Sequence, residues 1–380
     1  MRSDARGAGM HAARAAAIWA ALALVACAAF VASLTLGSVP LTSVDALAAL
    51  VHRAGADPLA ADIVRTLRLP RALAGFGCGA LLALAGALLQ VLLRNPLAAD
   101  IVRTLRLPRA LAGFGCGALL ALAGALLQVL LRNPLAEPYV LGVSGGAAAF
   151  ALVAMIAGGA WWIVDCASFA GALASIAFVL GLARRELWRG EPRDASPRLL
   201  LTGVVISAGW FALITLMLAI APDERLRGIL FWLSGDLSGA ASPGFALAAL
   251  AAAACVALPA APQLNVLLRG DAAAAALGVP VARLRLRVYL IASLAAAAAV
   301  TTAGTIGFVG LVVPHALRLA FGNDQRMLLP AAMLAGGAGV MAADLLARTA
   351  IAPAQLPVGV MTALIGVPLF LWMLLRGAAR

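Results

Sequence analysis

Arginine side chains carry most of the chemistry that this sequence offers. The chain has 28 basic residues, all of them Arg, against 16 acidic residues. A guanidinium group presents a planar fork of N–H donors, which suits a carboxylate. Asp344 and Arg348 stand four residues apart, so they share one face of a helix and can form an ion pair.

Motifs for bond-making chemistry are missing from the sequence. It contains no GxxxxGK[ST] loop to hold ATP phosphates, no HExxH and no paired-carboxylate cluster. The five Cys residues lie in apolar stretches without metal-ligand spacing. His315 follows Pro314 and is more typical of a structural residue than of a ligand. We therefore expect no catalytic residues, no metal site and no cofactor bound by this chain.

The composition predicts a membrane protein. Of the 380 residues, 64% are hydrophobic and 12% are charged, and the mean hydropathy is +1.03. No core packed in water needs so much apolar surface, and the alternating pattern of an outer-membrane barrel is absent. The Arg residues lie between apolar runs, which indicates loops on the inner membrane face rather than nucleic-acid binding. The predicted fold class is an all-α, polytopic transmembrane helical bundle.

Eleven apolar segments are long enough to be considered as spans. They lie near 15–37, 72–93, 110–131, 139–160, 162–183, 199–220, 243–260, 288–309, 307–321, 328–346 and 357–375. We interpret residues 1–380 as a single transmembrane domain. It has about ten spanning helices plus one extra hydrophobic segment.

A tandem repeat accounts for the extra segment. Residues 58–95 recur without change as residues 96–133, with a period of 96 − 58 = 38. With one copy in the membrane the count is ten and both Arg-rich termini lie inside, whereas two spanning copies put one terminus outside. We hypothesise that one copy occupies the native position. The perfect identity indicates a recent tandem duplication or an error in sequence assembly.

Arg-rich stretches predict the topology. Residues 184–198 and 263–287 are basic, and an even number of segments separates them, so both can be cytoplasmic. The second stretch reads as two short amphipathic pieces broken at Gly278 and Pro280. The connection after the first helix is also basic although it falls outside, and an acidic partner would explain that.

Three further blocks are highly specific. RNPLAEPYVLGVSGGA occupies 132–147, GTIGFVGLVVPH occupies 304–315, and LPVGV occupies 356–360. Together with RLPR they resemble the FecCD family, the membrane permeases of ABC importers for ferric siderophores, haem and cobalamin. The resemblance runs from about residue 60 to the C-terminus, and the duplicated block departs from the family pattern.

The resemblance implies partners and a location. It implies ten helices per subunit, a homodimer around one central path, two cytoplasmic ATPase subunits that hold ATP and Mg²⁺, and a periplasmic substrate-binding protein. The chain would lie in the bacterial inner membrane as a multi-pass subunit, without nucleic acid and without enzymatic activity of its own. Ferric siderophore, cobalamin and haem stay open as the metal chelate carried.

The resemblance also assigns roles to residues. The arginines expected to dock the binding protein are Arg68, Arg71, Arg106, Arg109 and Arg348. Contact with lipid phosphate or solvent is the alternative for them. The residues expected to couple to the ATPase are Arg269, Gly270, Asp271, Leu277, Gly278, Val279 and Pro280. The motif positions expected to shape the packing and the path are Asn133, Pro134, Glu137, Pro138, Gly142, Ser144, Gly145, Gly307, Gly310, Pro314, His315, Pro357 and Gly359.

Two other functions remain possible from the residues alone. A membrane enzyme acting on lipid would need acidic or His residues clustered near one membrane face. A proton-coupled secondary transporter would need buried carboxylates within helices, for which Asp344 is the good candidate. Uptake into vesicles separates these alternatives from an ATP-driven importer.

Overall fold

The computed structural model describes residues 101–182, 195–239, 243–351 and 354–377, together with Val64. The chain divides into two compact units, Met1–Asn95 and Pro96–Arg380, and the description below concerns the second. The predicted first helix, the first repeat copy with Arg68 and Arg71, and most of the Arg-rich stretch 184–198 lie outside the described residues.

Helices make up the described part of the chain. A π-helical turn, Val102–Arg106, precedes α1, and a 3-10 turn, Pro138–Leu141, precedes α2. The α-helices are α1 Leu107–Leu130, α2 Val143–Ile156, α3 Trp161–Leu182, α4 Ala195–Ile220, α5 Asp223–Leu233, α6 Gly244–Leu267, α7 Asp271–Ala276, α8 Val281–Ala303, α9 Val309–Phe321, α10 Gln325–Thr349 and α11 Val358–Gly377. The predicted all-α, polytopic fold class is confirmed.

Seven of these helices are long and apolar enough to cross a membrane, and α2 and α9 are shorter apolar helices. Their Ala- and Leu-rich sequences favour the helix, and in lipid a helix satisfies its backbone hydrogen bonds internally. The protein is therefore a multi-pass membrane protein. α2 is shorter than the predicted segment because Gly142 and Gly158, at φ of 76° and 77°, stop the helix at both ends.

Helix α1, from the second repeat copy, forms the centre of the unit. Within its most apolar stretch of 18 residues, 83% of the residues are buried. It packs against α6, α8, α9 and α10. A Cβ added at Gly117 would lie 2.2 Å from the carbonyl oxygen of Gly336, and one at Gly124 would lie 1.8 Å from that of Gly310. These glycines let the helix backbones come into contact, as small residues do between membrane helices.

Other helices expose their apolar faces. Within the most apolar 18-residue stretch of each helix, only 6% of the residues of α4 and 28% of those of α11 are buried. Phe211 on α4 and Leu375 on α11 are 71% and 76% exposed. Contiguous apolar surface of this size needs lipid or another protein to cover it.

The basic loop 263–287 differs from the sequence prediction. It contains one short helix, α7, and the second amphipathic piece is the beginning of the long helix α8. Pro280 stands at the N-terminal boundary of α8, where a proline does not interrupt the hydrogen bonds of a helix. Leu284 and Val288, four residues apart, are both buried, so the helical periodicity continues into the span.

A second difference concerns the break in the 288–321 region. The apolar segments near 288–309 and 307–321 run together, and Gly304, Gly307, Gly310 and Pro314 predict where the helix breaks. Gly310 and Pro314 nevertheless lie inside α9. The interruption is Gly304–Phe308, between α8 and α9. Gly304 and Phe308 both have positive φ, 66° and 68°, so the backbone itself turns there.

Candidate functional site

The predicted site residues fall at the two ends of α1 and beside its middle. Arg109 marks the first turn of α1, and Arg132 follows its last turn. At 1.5 Å per residue, the helix separates them by roughly 35 Å. We call the end at Arg109 the outer end and the end at Arg132 the inner end.

At the outer end, Arg109 forms a close ion pair with Asp344 of α10. Its Nε donates to Oδ1 and Oδ2 at 3.0 and 3.1 Å, and its Nη2 donates to Oδ1 at 2.8 Å. Its Nη1 donates to Oε1 of Gln355 at 3.1 Å. The two side chains are only 13% and 5% exposed. A predicted docking arginine is thus also an internal tie between two helices.

Arg348 shares the same carboxylate but is held less tightly. Its Nε lies 3.1 Å from Oδ2 of Asp344, the pairing that the four-residue spacing predicts. That Nε makes no hydrogen bond within the described part of the chain. The Arg348 side chain is 29% exposed, and Arg106 is exposed on the π-helical turn. Arg106 and Arg348 are therefore more accessible to a partner than Arg109.

At the inner end, Asp271 lies between two arginines. The first residue of α7, it accepts hydrogen bonds from Arg132, just beyond α1, and from Arg285 of α8. The Arg285 side chain is 7% exposed and that of Asp271 is 18% exposed. Arg132 itself has a positive φ of 48°. The carboxylate joins the short helix α7 to α1 and α8.

The other predicted coupling residues form the surface around α7. Gly270 and Gly278 have φ of 114° and 79°, conformations that favour glycine. They supply the tight turns on either side of α7. Leu277 is 65% exposed, and Arg269, Gly278 and Pro280 are exposed beside it, with Val279 half-buried. The exposed Leu277 and Arg269 are available to a partner protein.

Beside the middle of α1, the blocks 132–147 and 304–315 meet. Oε1 of Glu137 accepts a hydrogen bond from the backbone N–H of Phe308 at 3.0 Å. The Tyr139 hydroxyl accepts from the N–H of Ile306 at 3.0 Å and donates to its carbonyl at 3.1 Å. These bonds give partners to backbone N–H and C=O groups in the non-helical segment between α8 and α9. Such partners are needed because buried backbone groups cannot bond to water.

Gln128 extends this junction toward the inner end. Buried on α1, it donates to the carbonyl of Leu311 at 3.3 Å and accepts from Nη2 of Arg318 at 2.9 Å. Nε of Arg318 donates to Oδ1 of Asn323 at 2.9 Å. The Gln128 side chain therefore bridges α1 and α9. Its partner Arg318 lies just beyond the GTIGFVGLVVPH block.

The remaining motif positions have mainly packing roles. Asn133 accepts from the N–H of Leu135 at 2.9 Å, beside exposed Pro134. Other contacts pair Gly142 with Ser175, Gly145 with Trp210, Pro138 with Gly310, and Gly359 with Ser234. Gly307 has open space around it, and Ser144 and Pro357 are half-buried at helix starts.

The His315 ring lies 5.6 Å from that of Phe370. Within the described ranges, no group of three His, Cys, Asp or Glu residues could hold a metal ion.

A cavity of about 1350 Å³ adjoins the outer cluster. Indole and phenyl rings line it, including Trp161, and so do the carboxylates of Asp165, Glu224 and Asp236. Gln355, the hydrogen-bond partner of Arg109, is part of its wall. The cavity and the arginine cluster are therefore neighbours in one chain.

The sequence pattern of the FecCD transport family matches residues 22–100 and 98–376. The chain belongs to the FecCD transport family. The first match contains the whole first repeat copy, and the second begins inside the second copy, so each match to the FecCD pattern uses its own copy. The resemblance read from RLPR, NPLAEP and GFVGLVVPH is confirmed.

Individual FecCD relatives are similar over most of their length. The cobalamin import system permease protein BtuC of Halobacterium salinarum is 40% identical over 324 residues, which cover 84% of this chain and 75% of the relative. The hemin transport system permease protein HmuU of Yersinia pestis is 39% identical, with 82% of each chain covered. Both relatives are named as permease proteins of transport systems.

A solved structure supports the same fold. It is an inward-facing conformation of a proposed metal-chelate type ABC transporter, with a TM-score of 0.66 and 30% sequence identity. The match covers 73% of this chain and 89% of that one. The described helices thus follow the arrangement of an ABC transporter permease.

Proposed function

We propose that this chain is the membrane-spanning subunit of a binding-protein-dependent ABC importer that carries a metal chelate across the bacterial inner membrane. Membership of the FecCD transport family, over residues 98–376 without interruption, carries the proposal. The geometry agrees with it, because one buried helix connects an arginine cluster at the outer end with an exposed short helix at the inner end.

The inner end is the contact with the ATPase in this proposal. Helix α7 and the turn at Gly278 form a compact knob that presents Leu277. Such a knob fits a cleft on a soluble partner and transmits rigid-body motion. The ATPase subunit holds ATP and Mg²⁺, and Asp271 passes its movement to α1 through Arg132.

The outer end docks the substrate-binding protein. Arg106 and Arg348 present guanidinium groups to its carboxylates, and charges at such a rim set the association rate and the register. The cavity next to Gln355 offers mainly apolar walls to a large organic solute. The relatives that carry cobalamin or hemin support a metal chelate as the substrate class.

Two copies of the chain form the path between them. The weakly buried helices α4 and α11 supply apolar faces that a second copy can cover. A central path between copies needs few strong ligands along its wall, because tight binding would stop release. The substrate passes along the axis of this homodimer.

Proton coupling is less well supported. Asp344, the candidate carboxylate, lies within 3.1 Å of two guanidinium groups, those of Arg109 and Arg348. An ion pair of this kind fixes helix ends together, and its outer location is far from the middle of α1.

Uptake into proteoliposomes tests the function. The chain is reconstituted with its ATPase subunit and binding protein, and radiolabelled cobalamin, hemin and ferric siderophores are offered in turn. We expect accumulation of one chelate that needs ATP and both partners. An ATPase subunit without its catalytic glutamate is the matched control. Uptake by the chain alone under a proton gradient would overturn the proposal.

A further inference from the structure

The outer cluster holds two positive charges against one carboxylate. Asp344 is 3% exposed and contacts both Arg109 and Arg348. The two contacts are unequal. Arg109 makes three hydrogen bonds to the carboxylate and is nearly buried, whereas Arg348 approaches one oxygen without a hydrogen bond and is partly exposed.

We propose that Asp344 is an internal competitor for the docking arginine Arg348: a carboxylate of the binding protein must displace it, and this limits the affinity of docking. Arg109 stays in place, because its Nε and Nη2 both donate to the nearly buried Asp344 carboxylate, and its Nη1 donates to Gln355 as well. The inference rests on the proposed function, since it names how the docking surface is regulated.

The physical basis is the unequal binding of the two arginines. When Arg348 leaves, Asp344 keeps three hydrogen bonds from Arg109 and is not left as an unpaired buried charge. A partner's carboxylate can therefore replace it at Arg348 at small cost. A moderate affinity lets the empty binding protein leave after it has delivered its substrate. A FecCD chain without the competing charge would hold its partner longer.

The test is the affinity of the binding protein for variants of the full-length chain in lipid nanodiscs. The ligand-free substrate-binding protein of the same transport system is the probe. We expect Asp344→Asn to bind it about three- to tenfold more tightly, with a steeper dependence of the association rate on salt. A purely structural role for Asp344 would not increase affinity.

Two further variants identify the residue responsible. Asp344→Asn combined with Arg348→Ala should lose the gain, because the released arginine is absent. Asp344→Asn combined with Arg109→Gln removes both members of the buried pair, which avoids an unpaired buried charge, and should keep the gain. That double variant serves if Asp344→Asn alone does not fold.

The control is Asp223→Asn, which removes a charge from the first turn of α5, beside Glu224 in the wall of the cavity that Gln355 also lines, and should leave affinity unchanged. Equal or weaker binding by folded Asp344→Asn, or a gain that survives removal of Arg348, overturns the inference. Failure of the proposed function is a different result, in which the unaltered chain neither binds the protein nor imports a chelate.

Discussion

At the residue scale, single carboxylates organise both ends of the protein. Asp344 joins α1 to α10 at the outer end, and Asp271 joins α7 to α1 and α8 at the inner end. Each carboxylate lies between two arginines, so removal of the acid leaves two positive charges facing one another. One arginine partner of each carboxylate comes from a distant part of the chain: Arg109 is 235 positions from Asp344, and Arg132 is 139 positions from Asp271.

Substitution of Asp271 should uncouple substrate import from ATP hydrolysis by the proposed ATPase subunit. In Asp271→Ala, buried Arg285 loses its partner and α7 is no longer tied to α1. We expect the unfolding free energy to fall by about 1–3 kcal/mol, since the site is partly exposed. The number of substrate molecules imported per ATP hydrolysed should fall severalfold. Calorimetry and paired uptake and hydrolysis assays measure these effects.

The matched control is Asp223→Ala, because Asp223 is also the first residue of an exposed helix. It should leave both the coupling ratio and the melting temperature close to those of the unaltered chain. Unchanged coupling in Asp271→Ala would argue that α7 moves independently of α1.

At the element scale, glycines decide how closely α1 approaches its neighbours. The contact of Gly124 with the Gly310 carbonyl is backbone against backbone, so no side-chain rotation can make room for a methyl group. The same holds for Gly117 against Gly336. The helices are held at this distance by dispersion and weak polar contacts rather than by hydrophobic burial, which lipid does not favour.

Gly124→Ala should therefore separate α1 from α9. The added Cβ would sit 1.8 Å from an oxygen atom, and we expect a loss of at least about 2 kcal/mol of stability from overpacking. Thermal unfolding in detergent measures the change. Gly181→Ala on α3 is the control, since nothing lies within 4 Å of its Cβ position. It should be neutral or stabilising, as alanine is the better helix former. Equal melting temperatures would contradict the packing argument.

At the scale of the whole molecule, the repeat sets the number of helices. The second copy forms α1, the most deeply buried of the candidate spans in the described ranges. Because the copies are identical, removal of residues 58–95 and removal of residues 96–133 produce the same chain. One period can therefore be removed without choosing between the copies.

The shortened chain, of 380 − 38 = 342 residues, should fold and transport at least as well as the full chain. The family block then occurs once, and an even number of spans places both termini on one side. Uptake assays and reporter fusions at both termini check this. Deletion of residues 143–180, which has the same length but removes α2 and most of α3, should abolish uptake. Loss of uptake in the first variant would show that both copies are needed.

The sequence predicts the elements better than their contacts. Apolar segments place most ends of the described spans to within a few residues, since length and hydropathy are local properties. The end of α6 and the start of α8 are each missed by seven residues. The pairing of Asp344 with Arg348 is likewise local, four residues along one helix. Arg109 and Arg318 meet their partners only because helices far apart in the chain pack together. No residue spacing in the sequence predicts these contacts. The sequence predicts the short helix α7, but it does not predict that the second amphipathic piece is the start of the spanning helix α8.

Helix α1 is tied to Asp344 through Arg109 at one end and to Asp271 through Arg132 just beyond the other end. It can therefore act as a lever. A rod of roughly 35 Å that tilts by about 5° carries its far tip about 3 Å. A small push on the knob at Leu277 would thus shift Arg109 by nearly the width of an atom. Under the proposed function, ATP hydrolysis on one side of the membrane would in this way weaken the docking of the binding protein on the other side.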